Sequence, residues 1–238
     1  MRTISILRRR LARDRVSDPT AGFLTARRAL HLGTSMKLLA FTDTHEDPRA
    51  FTRLRRLIAQ ERVDLAACVG DFTVMGRSTQ KMLHELDTLG VPVVLIHGNH
   101  EDEEEVESLL DSCKNITWAH QRLVTVKGIP FVGFGGGGFR EREPALERLE
   151  KELGDRITPR TIIMCHAPPA GTTTDAISDD WHVGNESLSA LIRRRRPLLV
   201  LCGHIHECFH AHDTLAGTTI INPGPDGEII EIDVEDGL

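Results

Sequence analysis

From Met36 onward, short unbroken apolar runs alternate with longer stretches in which apolar residues recur every three or four positions. The runs MKLLAF (36–41), VDLAACV (63–69), VPVVLIH (91–97), TIIMCH (161–166) and PLLVLC (197–202) are strand-length and nearly free of charge, as strands buried on both faces must be. Between the first three lie a helical stretch at about 48–60, with Phe51, Leu54, Leu57 and Ile58 on one face, and another at 77–89. Gly90-Val91-Pro92 breaks the second helix before the next strand, and a Glu-rich helix is predicted at 102–111. This β-α-β-α-β order predicts a mostly parallel sheet with helices packed on its faces.

The rhythm then changes. RLVTVKGIPFVGFG (122–135) predicts two strands turning at Lys127-Gly128, followed by a helix over 140–153. Residues 167–185, with Pro168-Pro169 and Gly171, are expected to be a long loop, and 186–195 a helix. Strands near 207–212, 218–222 and 228–233 are short and turn-separated, which suggests a second, mixed sheet. No repeat, linker or break in composition interrupts residues 36–238, which are expected to form one domain.

Residues 1–35 stand apart. Eight arginines against two aspartates give them a balance of +6, so the rest of the chain carries −12 within a total of −6. They are expected to be a basic, flexible extension or the product of a misassigned start, because Met36 opens a complete first strand. An acidic body with 4% aromatics and no tyrosine offers little to a long nucleic acid, which needs phosphate neutralisation and stacking surfaces. No apolar run is long enough to span a membrane. Five cysteines without a CxxC pair, three of them (Cys68, Cys165, Cys202) inside apolar runs, point to buried thiols in a reducing cytoplasm. None of these features specifies an oligomeric state.

Chemistry concentrates where strands end. Asp43-Thr44-His45 follows the first run, Gly70-Asp71 the second, Gly98-Asn99-His100-Glu101 the third, His166 closes TIIMCH, and Gly203-His204-Ile205-His206 follows PLLVLC. Taken singly, each has an ordinary structural explanation: a turn aspartate, a capping asparagine, a hydrogen-bonded core histidine. Five such blocks at five strand ends are hard to explain that way, because ligands of open α/β sheets bind at the carboxyl edge of the strands. Asp43, His45, Asp71, Asn99, His166, His204 and His206 supply two carboxylates, an amide oxygen and four imidazoles, a donor set suited to manganese, iron or zinc. Seven donors exceed what one ion takes while keeping a water, and two ions sharing a carboxylate would use them.

This ordered set resembles the signature of the calcineurin-like metallophosphoesterases, and HAPPAGTTTD, HVGNESL, CGHIHE and INPGP resemble the Icc-related phosphoesterases of prokaryotes. The resemblance covers about residues 36–233. It implies an α/β fold of the metallo-dependent phosphatase type: a four-layer α/β-β/α sandwich, two mixed sheets flanked by helices. It also implies two divalent ions, manganese first and iron or zinc otherwise. Asp43, His45, Asp71 and His206 would hold one, and Asp71, Asn99, His166 and His204 the other. His100 and Asn99 would face the phosphoryl group, with His100 as proton donor and Asp71 as the bridging catalytic carboxylate. The implied activity is hydrolysis of a small phosphate ester, a diester first, by metal-activated hydroxide. The alternatives are a phosphomonoesterase of the same fold or a metal-free scaffold that binds a protein.

Other features are read more plainly. Glu101 either orients His100 or favours the dipole of the next helix. The glycines of GFGGGGF (133–139) lack the Lys and Ser/Thr of a P-loop and are expected to form a flexible loop at the site mouth. Arg193 to Arg196 complement a helix C-terminus, and Trp181 and His182 are taken as packed loop residues.

Overall fold

The protein is described here from a computed structural model that covers residues 4–6 and 34–234. Its strands are β1 (Ile4–Ile6), β2 (Thr34–Phe41), β3 (Leu65–Cys68), β4 (Val93–Leu95), β5 (Ile116–Trp118), β6 (Leu123–Val126), β7 (Ile129–Phe134), β8 (Ile162–Cys165), β9 (Ala176–Ser178), β10 (Trp181–His182), β11 (Leu199–Leu201), β12 (His212–Leu215), β13 (Thr218–Ile221) and β14 (Glu228–Val234). The α-helices are α1 (Pro48–Glu61), α2 (Thr79–Asp87), α3 (Glu103–Leu109), α4 (Pro144–Leu153) and α5 (Glu186–Arg195).

One six-stranded sheet runs β1-β14-β2-β3-β4-β5 and the other β12-β13-β11-β8-β7-β6. Strands β2 to β5 are mutually parallel, as are β13, β11, β8 and β7, and antiparallel neighbours lie toward the edges. Both sheets are therefore mixed, as expected.

The period-2 alternation of each strand builds the layers. Leu39 and Phe41 of β2 and Ala66 and Cys68 of β3 pack with Phe51, Leu54, Met82, Leu86 and Val106 from α1, α2 and α3. Their neighbours Leu38, Ala40, Leu65 and Ala67 turn the other way and meet Phe131, Ile162, Met164, Leu199 and Leu201 of the second sheet. On the far face, Ile163, Cys165, Val200 and Cys202 pack with Leu146, Leu149, Leu188 and Leu191 of α4 and α5. Three apolar layers thus join helix, sheet, sheet and helix, the four-layer sandwich that the resemblance implied. Strands this thoroughly buried have no polar face, which is why their runs looked continuous in the sequence.

Local signals place the helices. Asp47 caps α1 by accepting from the Arg49 N–H, with Pro48 at the first helical position. Asn185 caps α5 through the Leu188 N–H. Of the basic run at the end of α5, Arg194 and Arg195 also bind Glu150 of α4, so dipole complementarity is only part of their role.

Several expectations need correction. The loop at 167–185 contains the β9–β10 hairpin. The predicted strand at 207–212 is a 3₁₀ turn at His206–Cys208, and β12 begins only at His212. The helix predicted from 140 starts at Pro144, and β5 was missed. Within residues 1–35, Ile4–Ile6 pairs in parallel with β14 and Thr34–Ser35 open β2. Residues 1–3 and 7–33 lie outside the described residues, and with them the expectation of a flexible extension or misassigned start.

Candidate metal centre

All five blocks lie at the carboxyl ends of parallel strands: β2, β3 and β4 in the first sheet, β8 and β11 in the second. Close backbone approach lets them converge. A Cβ at Gly98 would overlap the Asp71 carboxylate, and one at Gly203 would overlap the Thr42 hydroxyl and Asp43. Four of the seven expected donors, Asp43 (φ 53°), His45 (φ 42°), Asp71 (φ 50°) and His204 (φ 68°), lie in the left-handed backbone region. Such residues cost roughly 1–3 kcal/mol each and gather where function demands a particular side-chain direction.

Asp43, His45 and His206 form one group, with donor atoms within 4.8 Å of one another. Asp43 Oδ1 lies 3.5 Å from His206 Nε2 and 3.9 Å from His45 Nε2, and the two imidazole nitrogens are 3.3 Å apart. Asp43 Oδ2 accepts from the Thr42 hydroxyl at 2.7 Å and the His204 N–H at 3.1 Å, whereas buried Oδ1 has no hydrogen-bond partner. Burial pushes the Asp43 pKa up, but the His206 imidazole, the charge of His166 and the Thr42 hydroxyl outweigh it, and the net direction is down. His45 Nδ1–H donates to the Thr73 carbonyl at 3.0 Å, which leaves the Nε2 lone pair toward the centre.

Asp71, His166 and His204 form the second group. His166 Nε2 is 3.3 Å from Asp71 Oδ2 and 3.1 Å from Asn99 Oδ1, while its Nδ1–H donates to the Val69 carbonyl at 2.8 Å. Burial disfavours a charged His166, yet the Asp71 and Asp43 carboxylates raise its pKa to about 9, so the local field favours positive charge. The same field holds Asp71 ionised, despite burial, through His166 and His100. Burial and the neighbouring His166 bring His204 down to about 4, and its buried Nε2 has no hydrogen-bond partner. Asp71 also groups with His45 and His100, and so stands between the two sets.

His100 Nδ1 accepts the Met75 N–H at 3.3 Å, so in the neutral imidazole the proton sits on Nε2, 3.9 Å from Asp71 Oδ2. Neither expected role for Glu101 matches its contacts. α3 begins after it, capped by Asp102, and the buried Glu101 carboxylate accepts from the N–H groups of Asp71 (2.9 Å), Thr73 (2.8 Å) and Gly98 (2.7 Å) and from the Thr73 hydroxyl (2.7 Å). It ties the loop bearing Asp71 to the loop bearing Asn99. Only the buried surroundings revealed by the fold distinguish it from Glu103 to Glu105.

A histidine pair was also missed. His120 Nδ1 accepts the Gly135 N–H at 2.7 Å, and its ring lies 4.5 Å from that of His97. Burial lowers His97 to about 4 and His120 to about 3, so both are neutral. With Nδ1 accepting, His120 carries its proton on Nε2, toward Glu103 at 3.2 Å. The grouping of His97, Glu103 and His120 is therefore a poor cation site, although the donors are close. The pair instead braces the glycine loop at 135–138, and the Gly136 N–H also donates to the His97 carbonyl at 3.1 Å.

The donors suit divalent cations in three respects. Two buried donor atoms lack partners, two imidazoles have tautomers set by backbone carbonyls, and the ligand atoms are the oxygen and nitrogen types such ions prefer.

The family model of the calcineurin-like phosphoesterases matches residues 36–208. A Synechococcus protein named "probable cyclic nucleotide phosphodiesterase" is 27% identical over 162 residues, covering 64% of this chain and 61% of that relative. Among solved structures, TT1561 of Thermus thermophilus superposes with a TM-score of 0.65 at 18% identity, covering 80% of this chain and 90% of that one. A dimetal phosphatase from Danio rerio gives 0.53 at 16% identity, covering 78% and 86%. At these identities the structural likenesses establish the fold. By its family match, the chain belongs to the calcineurin-like phosphoesterases.

Proposed function

We propose that this protein hydrolyses a small phosphodiester with the help of two divalent cations, manganese ahead of iron or zinc. Asp43, His45, Asp71 and His206 would hold one cation, and Asp71, Asn99, His166 and His204 the other. The observation that carries this reading is the pair of buried, partnerless donors, Asp43 Oδ1 in one group and His204 Nε2 in the other. An unpaired buried polar atom costs roughly 1–3 kcal/mol, and a chain that keeps two at one centre gains from what they bind.

When bound, such a cation pair supplies Lewis acidity, lowers the pKa of water and offsets charge on a phosphoryl group. The protein's own groups do the rest. The Val69 and Thr73 carbonyls fix the rings of His166 and His45. Glu101 sets the spacing of the Asp71 and Asn99 loops before substrate arrives. His100, its Nε2–H facing the centre, hydrogen-bonds the phosphoryl group. As an imidazolium, in which Nδ1 is protonated and gives up the Met75 N–H, it would pass a proton to the departing ester oxygen and return to the neutral ring, help worth roughly 10²–10⁴-fold. Asn99 contributes its amide to the same edge. The strong negative balance of the body disfavours polyanionic polymers and leaves a small ester as substrate.

The name of the Synechococcus relative favours a diester and puts cyclic nucleotides in the assay panel. A cytoplasmic location is favoured by five unpaired cysteines. Among the described residues no helix is long and apolar enough to cross a membrane.

The test is a panel of bis-p-nitrophenyl phosphate, p-nitrophenyl phosphate and cyclic nucleotides with manganese, ferrous iron, zinc or chelator. Metal-dependent turnover, fastest on a diester, is expected. Faster monoester turnover would shift the reading to a phosphomonoesterase, and no turnover on any ester would favour the metal-free scaffold.

A further inference from the structure

A cleft of about 330 Å³ adjoins the centre, lined by Phe139, Glu141, Gly171, Asp175, His182 and Glu186 among others. Its size is at the lower end of small-ligand sites. One wall comes from the loop after β7 and the other from the loop after β8, the strand that ends beside His166. Phe139 is the shared boundary: its ring centroid lies 4.4 Å from that of His204, and 64% of the residue is exposed. Phe139, Met75 and Trp181 are the large apolar side chains exposed among the described residues, and the ring of Phe139 stands beside the centre.

Both walls are fixed. The Phe139 loop is anchored on one side where the Gly136 N–H meets the His97 carbonyl at 3.1 Å. On the other, Asn185 Nδ2–H donates to the Arg140 carbonyl at 2.9 Å, and the Glu186 N–H to the Glu141 carbonyl at 2.7 Å. The glycine loop is thus tied to the fold at both ends. Opposite, the buried Asp175 carboxylate accepts the Gly171 N–H at 2.9 Å and the His182 Nδ1–H at 2.7 Å. Asp175 thereby orients an imidazole that is half exposed and whose pKa this contact raises. His182 is therefore an oriented polar group at the cleft, not the packed loop residue expected from sequence.

We propose that this cleft is a second binding subsite, which takes the organic group of the ester when that group is a flat, uncharged aromatic or heteroaromatic ring. The ring lies on the free face of Phe139, and a polar substituent hydrogen-bonds the outer edge of His182. The exposed carboxylates Glu141 and Glu186 select against rings that carry further negative charge. The inference rests on the proposed function only in taking the phosphoryl group to sit at the cations.

Calorimetry of manganese-loaded protein with phenylphosphonate and methylphosphonate tests it without turnover. Phenylphosphonate is expected to bind roughly tenfold more tightly, an aromatic contact's worth. Phe139→Ala is expected to remove that preference while leaving methylphosphonate affinity unchanged; the exposed position lets the fold tolerate the change, and a thermal melt checks this. His182→Ala is expected to raise KM for bis-p-nitrophenyl phosphate several-fold with kcat retained. Equal affinities in the unsubstituted protein, or a preference that survives Phe139→Ala, would overturn the subsite. A preference for the phenyl compound in a protein that cleaves no ester would keep the subsite and remove the hydrolytic reading. Ester cleavage without the preference would do the reverse, and binding of neither phosphonate together with no ester cleaved would overturn both.

Discussion

The histidines of the two donor groups differ in depth. His166 is fully buried and Asp71 nearly so, whereas the side chain of His206 is 52% exposed. The inner group is tied to the fold by the Val69 carbonyl and, through Asp71, by the Glu101 clamp. The outer group shares the brace at Thr73, but His206 sits on a short 3₁₀ turn. Depth matters because a buried, pre-oriented donor loses little entropy on binding and its charge is poorly screened by water. The inner half is therefore expected to hold its cation tightly and exchange it slowly, and the outer half to load and unload first.

Asp71 belongs to both halves, so Asp71→Ala should have the largest effect, with both cations lost by metal analysis and no measurable turnover. If one ion stayed at full occupancy, the shared-carboxylate arrangement would have to be abandoned. Next is His100→Ala, which should keep both ions while kcat falls roughly 10²–10⁴-fold on an aryl diester. Unchanged kcat would remove His100 as proton donor. Glu101→Ala leaves buried N–H groups of Asp71, Thr73 and Gly98 without their acceptor, so cation affinity should fall roughly 10–100-fold and the melting temperature should drop. A Glu101→Ala protein with native affinity and stability would show that the clamp is idle. The finest distinction is between His206→Ala, expected to lose one ion and retain the inner one, and His166→Ala, expected to weaken the inner ion. Graded chelation should strip the outer ion first; simultaneous release of both would erase the difference between the halves.

Much of this was legible in the chain. β2, β3, β4, β8 and β11 are buried on both faces, so each left an apolar run ending in its own donor block. The misreadings share a cause. β5 is three residues long, and β9 and β10 lie in a segment rich in Pro, Gly and Thr, so neither left a periodic signal. The stretch at 207–212 alternates like a strand, but its first residues turn to bring His206 toward Asp43. Glu101, His97 and His120 were misread or overlooked because their neighbours in space are remote in sequence.

The sequence by itself determined the class of fold, the strand ends at which chemistry would gather and the residue types gathered there, because these depend on periodicity and on order along the chain. Only the tertiary structure decided which donors are buried and which exposed, which imidazole nitrogen faces the centre, that Glu101 is a clamp, and that Phe139 stands free beside His204. Those properties belong to pairs of groups brought within a few ångströms by separate strands, and a hydrogen bond or a desolvated charge exists only once both partners are in place.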